Sequence, residues 1–151
     1  MRDLGIEFDD AYTSTSARAI DTLKIMTDIP FTTRKDLKEW EFGRLEGEGE
    51  HVNPKLPYRD FCVQYGGEDE FEFQDRIANA MMDIANTTEG NDILVVAHGA
   101  FLGQFYLKWE EYNKINRKGR IQNCSIFIYT FEDGKFILED IVEHDFTSLG
   151  L

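Results

Sequence analysis

Ile93-Leu94-Val95-Val96-Ala97-His98-Gly99-Ala100-Phe101 decides the fold class. Residues 93–97 form a short, wholly apolar, β-branched run, the pattern of a central strand covered on both faces. His-Gly closes that run, and a helix over about 100–111 follows. Ligands of open α/β sheets sit beyond the carboxyl ends of strands. The free amide N–H groups at the start of the next helix favour an anion there. Gly99 lets a ligand or another backbone approach closely. His98 can hydrogen-bond a phosphoryl oxygen or act as an acid or base. Equally, it can be a structural histidine closing a strand end, and the run by itself leaves both readings open.

Working outward, 8–13 reads as a short strand and 14–28 as a helix. Ser14 or Ser16 can cap that helix, and Ala19, Ile20, Leu23 and Thr27 supply its apolar face. Pro30 ends it. Residues 31–57 hold Gly43, Gly47, Gly49, Pro54 and Pro57. They predict a long loop with a short strand near Leu37, and loops of this length are usually functional or mobile. In 70–88, Phe73, Ile77, Ala80, Met81 and Ile84 repeat at helical spacing and predict an amphipathic helix. Gly90-Asn91-Asp92 is a turn. Residues 124–131 alternate and are rich in Ile, Phe and Tyr, so they predict a strand. Glu132-Asp133-Gly134-Lys135 is a hairpin signal, with 136–142 as the return strand. This order of elements predicts an α/β sandwich with a mostly parallel sheet.

The chain has 151 residues, which predicts a single domain over 1–151. It is 42% hydrophobic with twelve Phe, too apolar for a disordered chain. Sixteen basic residues against 29 acidic ones set a net charge of −13. An acidic chain repels phosphate backbones and anionic lipid surfaces, which argues against general nucleic-acid or membrane binding. A local basic pocket for a small anion stays compatible with that charge. Cys62 and Cys124 are too few for a disulfide framework and lack zinc-site spacing, so they read as reduced thiols. The apolar run 93–97 is far too short to span a bilayer. The start Met1-Arg2-Asp3-Leu4-Gly5 puts acid where a signal peptide needs an apolar segment, so secretion by that route is not expected. The expectation is therefore a cytoplasmic protein.

Two further segments carry charge where chemistry can use it. In Tyr12-Thr13-Ser14-Thr15-Ser16-Ala17-Arg18, a strand ends in hydroxyl residues and Arg18 falls on the first turn of the following helix. Arginine can hold a phosphate or carboxylate bidentately. A cation at a helix N-terminus is unfavourable unless an anion compensates, which raises the weight of a functional role. In residues 36–47, Asp36, Glu39, Glu41 and Glu46 sit among Trp40, Phe42 and glycines. A carboxyl group held against apolar neighbours can be raised in pKa and protonate a leaving group. Taken singly, each of these acids reads as a solvated loop charge. So does the cluster Glu68, Asp69, Glu70, Glu72 and Asp75, where acids suit a helix start. An acidic interaction surface is the weaker reading of that cluster.

Together these segments resemble the histidine phosphatase superfamily, also called the phosphoglycerate mutase-like family. Asp10-Ala11-Tyr12-Thr13-Ser14 with Arg18 and Thr22 resembles its Tyr-Ser-Ser segment with downstream Arg and Thr. Leu37-Lys38-Glu39, Phe42-Gly43 and Glu46-Gly47 resemble its Leu-x-Glu, Phe-Gly, Glu-Gly block. Gly67-Glu68 with Arg76 resembles its Gly-Glu-Ser segment and following Arg. Val95 to Gly99 matches its second histidine motif, and Asn123-Cys124-Ser125 resembles its Asn-Cys-Ser. The resemblance implies a three-layer α/β/α sandwich and phosphoryl transfer through a phosphohistidine, with no metal and no other cofactor. It implies that Arg18 binds the phosphoryl group and His98 hydrogen-bonds it, with Ser14 and Gly99 in the same phosphate-binding set. Glu39 is the implied proton donor and later the base. The implied ligand is a small phosphorylated substrate or inorganic phosphate.

The family's N-terminal strand ending in Arg-His-Gly, whose His is the nucleophile, has no counterpart in this sequence. His51 falls in the variable loop, and His144 sits near the end of the last strand. The expectation is a chain truncated at the N-terminus relative to the family, leaving unpaired backbone beside 93–97. The alternatives are a non-catalytic relative that binds phosphoesters, or a homodimer that fills the vacancy by strand exchange. The short span between Glu46 and Glu68 favours a phosphatase over a mutase.

Overall fold

The computed structural model describes residues 6–49, 52, 54–55 and 57–144. His51 lies outside the described residues. In chain order the regular elements are β1 (Asp10–Ser14), α1 (Ala17–Met26), β2 (Thr32–Arg34), α2 (Glu70–Thr87), β3 (Ile93–Val96), α3 (Gly99–Lys108), β4 (Ile126–Glu132) and β5 (Lys135–Val142).

β1 pairs in parallel with β2, Tyr12 opposite Thr32, and with β3, Asp10 opposite Ile93. The period of two along these strands divides their side chains between two cores. Ala11, Leu94 and Val96 pack with Ala19 and Leu23 of α1 on one face. Tyr12, Ile93 and Val95 pack on the other face with Phe73, Ile77 and Ile84 of α2 and with Phe101 and Phe105 of α3. Helices thus cover both faces of a parallel sheet, the α/β architecture expected. Burial drives it: Leu23, Phe73 and Ile77 are each fully inaccessible. Each such side chain is worth about 1.5–3 kcal/mol relative to exposure.

Several details differ from the sequence reading. β3 is covered on both faces, but among the described residues it lies at an edge: the sheet order is β2-β1-β3, with β1 in the middle. Among the described residues no strand pairs with the other edge of β3. β4 and β5 form a separate antiparallel pair rather than extending the parallel sheet. They turn through Asp133 and Gly134, both at positive φ (51° and 73°), as a tight primed hairpin requires. The strand expected near Leu37 lies earlier, at Thr32–Arg34, and Leu37 closes a 3-10 turn, Lys35–Leu37, that buries its side chain completely. The helix expected to run to Glu111 ends at Lys108, and a separate 3-10 turn follows at Glu110–Tyr112. Ser16 is the N-cap of α1 but makes no side-chain capping bond.

The described stretch around Gly43 is closely packed. Gly43 has φ +61°, and any Cβ there would meet the backbone of residues 65–67. Gly67 lies against the backbone of Glu41 and Phe42 in the same way. Two glycines therefore let two loops touch main chain to main chain, and Glu68 N–H donates to Glu41 O at 2.8 Å across that contact. Trp40 is 2% exposed beneath it, stacked on Phe73 with ring centroids 5.2 Å apart.

Candidate active site

The carboxyl end of β1, the first turn of α1 and the start of α3 meet at one imidazole. Ser14, the last residue of β1, is fully buried, and His98 is 7% exposed. Ser14 Oγ lies 2.7 Å from His98 Nε2, and an Arg18 guanidinium nitrogen lies 3.2 Å from Nδ1. A guanidinium has no acceptor, so Nδ1 must be the unprotonated nitrogen. The ring proton is thereby assigned to Nε2, which donates to Ser14 Oγ. That oxygen also accepts from Ser16 N–H at 3.3 Å. Burial lowers the His98 pKa below its usual 6.5, the Arg18 charge adds to that, and Glu39 opposes both. Dehydration and the neighbouring guanidinium thus agree with the hydrogen-bond pattern: the resting imidazole is neutral.

Glu39 arrives from the loop after β2. Its Oε2 accepts from Ala100 N–H at 3.2 Å, and its Oε1 accepts from Phe101 N–H at 3.0 Å. These are among the unpaired amides at the start of α3. His98 is the N-cap of that helix and makes no side-chain cap. A glutamate distant in sequence therefore supplies the missing capping anion, where the helix dipole favours it. A Cβ built on Gly99 would have nothing within 4 Å, so there is open space in front of that residue.

The residues singled out as a site in the sequence, Ser14, Arg18, Glu39, His98 and Gly99, therefore share one place. Thr22 acts locally, its hydroxyl donating to Arg18 O at 2.8 Å. Asn123-Cys124-Ser125 forms a turn before β4. Cys124 is exposed there at φ 62°, and Ser125 Oγ donates to Gln122 O. Both cysteines are free thiols. His144 is exposed just after β5. Among the described residues no cluster of His, Cys, Asp or Glu could hold a metal ion, and no helix is long and apolar enough to cross a membrane.

The reading of Glu68 to Asp75 as a solvated helix start needs correction. Glu70 is 1% exposed and accepts from Arg59 N–H (2.7 Å) and Gln104 Nε2 (3.0 Å). Glu68 forms a half-buried ion pair with Arg76 at 2.8 Å. Asp69 is the true N-cap of α2, accepting from Phe71 and Glu72 N–H. Gln104, three residues from Phe101 on the apolar face of α3, is a polar residue that needs a partner, but nothing in the sequence names Glu70 as that partner.

Known proteins resemble this chain in sequence and in fold. The chain is 28% identical over 142 residues to a metal-independent phosphoserine phosphatase of Arabidopsis thaliana, covering 85% of this chain and 58% of that protein. It is 27% identical over 139 residues to phosphoglycerate mutase-like protein 4 of the same plant, covering 82% and 59%. The chain thus spans less than three-fifths of the length of these relatives. Its fold superposes on a phosphoserine phosphatase of Entamoeba histolytica solved with phosphoserine, at TM-score 0.71 and 24% identity, covering 93% of this chain and 76% of that one. The sequence profile of the histidine phosphatase superfamily (branch 1) matches residues 2–144, which take in β1, the Glu39 loop and the His98 turn alike, and the chain belongs to that superfamily.

Proposed function

We propose that this chain carries the phosphate-binding and proton-transfer groups of a phosphatase acting on small phosphomonoesters such as phosphoserine. One observation supports this above the others: Arg18 and Ser14 converge on the two ring nitrogens of His98, while Glu39 lies on the next two amides. An incoming phosphoryl group competes for Arg18. Once Arg18 turns to that group, His98 Nδ1 is free to take a proton, and the imidazolium stabilises the charge spread over the phosphoryl oxygens.

The covalent step needs a nucleophilic histidine, and we assign it to a strand outside this sequence that lies along the open edge of β3. The nucleophile's ring nitrogen attacks phosphorus as the ester P–O bond breaks. Protonated Glu39 gives its proton to the departing oxygen. Water then cleaves the phosphohistidine, and the Glu39 carboxylate takes the proton that water loses. A hydroxyl acceptor in place of water would make the enzyme a mutase, and the names of the relatives include both activities. The open edge of β3 supports a second reading, a phosphoester-binding relative without turnover that pairs along that edge as a homodimer. A cytoplasmic setting fits the two free thiols.

The test is hydrolysis of p-nitrophenyl phosphate by the chain as it stands and by His98→Ala, together with inorganic phosphate binding followed by thermal shift for the wild type and Arg18→Ala. Losing a charge-assisted contact of about 1.5–3 kcal/mol lowers phosphate affinity roughly tenfold to a hundredfold in Arg18→Ala. Hydrolysis that vanishes in His98→Ala supports the phosphatase. Phosphate binding without hydrolysis is what both readings expect of a chain whose nucleophile lies outside this sequence, and hydrolysis regained when an Arg-His-Gly strand is joined to the chain favours the phosphatase over the non-catalytic reading. Neither binding nor hydrolysis overturns both.

A further inference from the structure

We infer that Arg76 is the positioning residue for Glu39, holding the acid against α3 through the backbone that carries it. This inference rests on the reading of Glu39 as the proton-transfer group. Residues 38–42 belong to no helix or strand, so their carbonyls have no ladder partners. Arg76, on the middle of α2, supplies the missing donors. One terminal guanidinium nitrogen donates to Asp36 O at 2.8 Å and to Lys38 O at 3.1 Å. The other reaches Glu39 O at 3.4 Å. A single planar fork thus fixes the carbonyls on either side of the Glu39 Cα.

The fork is itself held. Arg76 Nε and its second terminal nitrogen donate to the two oxygens of Glu68, both at 2.8 Å. The Arg76 guanidinium carbon sits 4.8 Å from the centre of the Phe73 ring. Glu68 is tied to the same loop through its backbone. Its N–H donates to Glu41 O at 2.8 Å, and its carbonyl accepts from the Trp40 indole N–H at 2.8 Å. With side chains only 19% and 15% exposed, the pair is poorly screened by solvent. Lysine cannot reproduce this geometry, because an ammonium lacks the rigid fork that spans several acceptors at once. The acid is thereby placed from behind, by groups that touch neither phosphate nor His98.

The test reads Glu39 directly and needs no turnover. The amide resonances of Ala100 and Phe101 are followed by NMR through an acid titration. In the wild type both shift together as Glu39 takes up its proton, and Glu39→Gln abolishes that shared shift. Arg76→Lys and Glu68→Gln are expected to lose it too, while the amides of Gln104 and Phe105 stay where they were. A merely structural Arg76 would lower the melting temperature and leave the shared titration intact. A shared titration that persists unchanged in folded Arg76→Lys overturns the proposal, as does its absence from the wild type. If Arg76→Lys does not fold, Glu68→Gln, which keeps the shape but replaces one of the two acceptor oxygens with an NH2 donor, decides by the same criterion. Inorganic phosphate binding is measured alongside. A chain that fails to bind phosphate yet shows the titration pattern sinks the proposed function and leaves the Arg76 assignment standing.

Discussion

Ser14 Oγ and His98 Nε2 lie 2.7 Å apart, joining the ends of two neighbouring parallel strands 84 residues apart in sequence. The donor-only guanidinium of Arg18 at Nδ1 leaves the ring proton on Nε2, and Ser14 Oγ accepts it. Ser14→Ala removes the acceptor for both the ring proton and Ser16 N–H. An unsatisfied buried donor costs about 1–3 kcal/mol. The urea midpoint is expected to fall with the slope unchanged. Undiminished stability would mean that Ser14 does not accept that proton.

The neutral state of His98 has a signature in pH. Its folded pKa lies below 6.5, chiefly through burial, so the unfolded chain binds more protons in the window between the two values. The stabilisation is fully present above 6.5 and is lost as pH falls through the folded pKa. Urea unfolding at about pH 7.5 and about pH 5.5 measures it, since the lowered carboxylates Asp9, Asp36, Glu41 and Glu139 stay ionised at both. The difference between the two pH values should shrink in His98→Asn. An equal difference in both proteins would place the proton dependence elsewhere.

Glu39→Gln separates two duties of one side chain. Removing the charge from the start of α3 costs about 0.3–1 kcal/mol of stability. Proton delivery matters far more. In a preparation that turns over phosphoesters, an alkyl phosphate is expected to lose roughly 10²–10⁴-fold in rate. p-Nitrophenyl phosphate should lose much less in its first step, because its leaving group departs without a proton. Equal losses on both substrates would argue that Glu39 only caps the helix.

Gly43→Ala forces a side chain into the backbone of the neighbouring loop, at a φ that L-residues rarely adopt. Strain of this kind costs on the order of 1–3 kcal/mol before any clash is counted. Thermal unfolding should show a clear loss. Gly47→Ala, also at positive φ but in open space, is the control for the conformational part.

The elements with strong periodicity were legible in the sequence. Glu70–Thr87 followed from Phe73, Ile77 and Ile84, and the β4–β5 hairpin from Asp133-Gly134. Ser14, Arg18, His98 and Gly99 were found because each stands at a strand end or helix start, whereas Glu39, in a loop, was picked out by the family resemblance alone. What could not be read was pairing at a distance. Nothing local to Ile93–Val96 says whether β1 or another strand is central, since coverage on both faces looks the same for either. Nothing local to Glu70 says that Gln104 and Arg59 N–H will meet it, so a buried acid passed as a solvated one. The loop strand was misplaced because Leu37 is buried by a 3-10 turn, and burial in a three-residue stretch imitates a strand.

The register of β1 on β3, with Thr13 Oγ1 also donating to Val96 O, has a consequence for the newborn chain. The inner strand is made before its neighbour on one side, which is then still more than eighty residues from synthesis. At about 5–20 residues per second, that wait is on the order of 4–17 s. During it, β1 and α1 have half a sheet to pack against, and Ser14 and Arg18 have no imidazole to grip. Closing the sheet and assembling the site are therefore one late event in biosynthesis. A ribosome stalled before His98 would hold Ser14, Arg18 and Glu39 without the imidazole around which they gather.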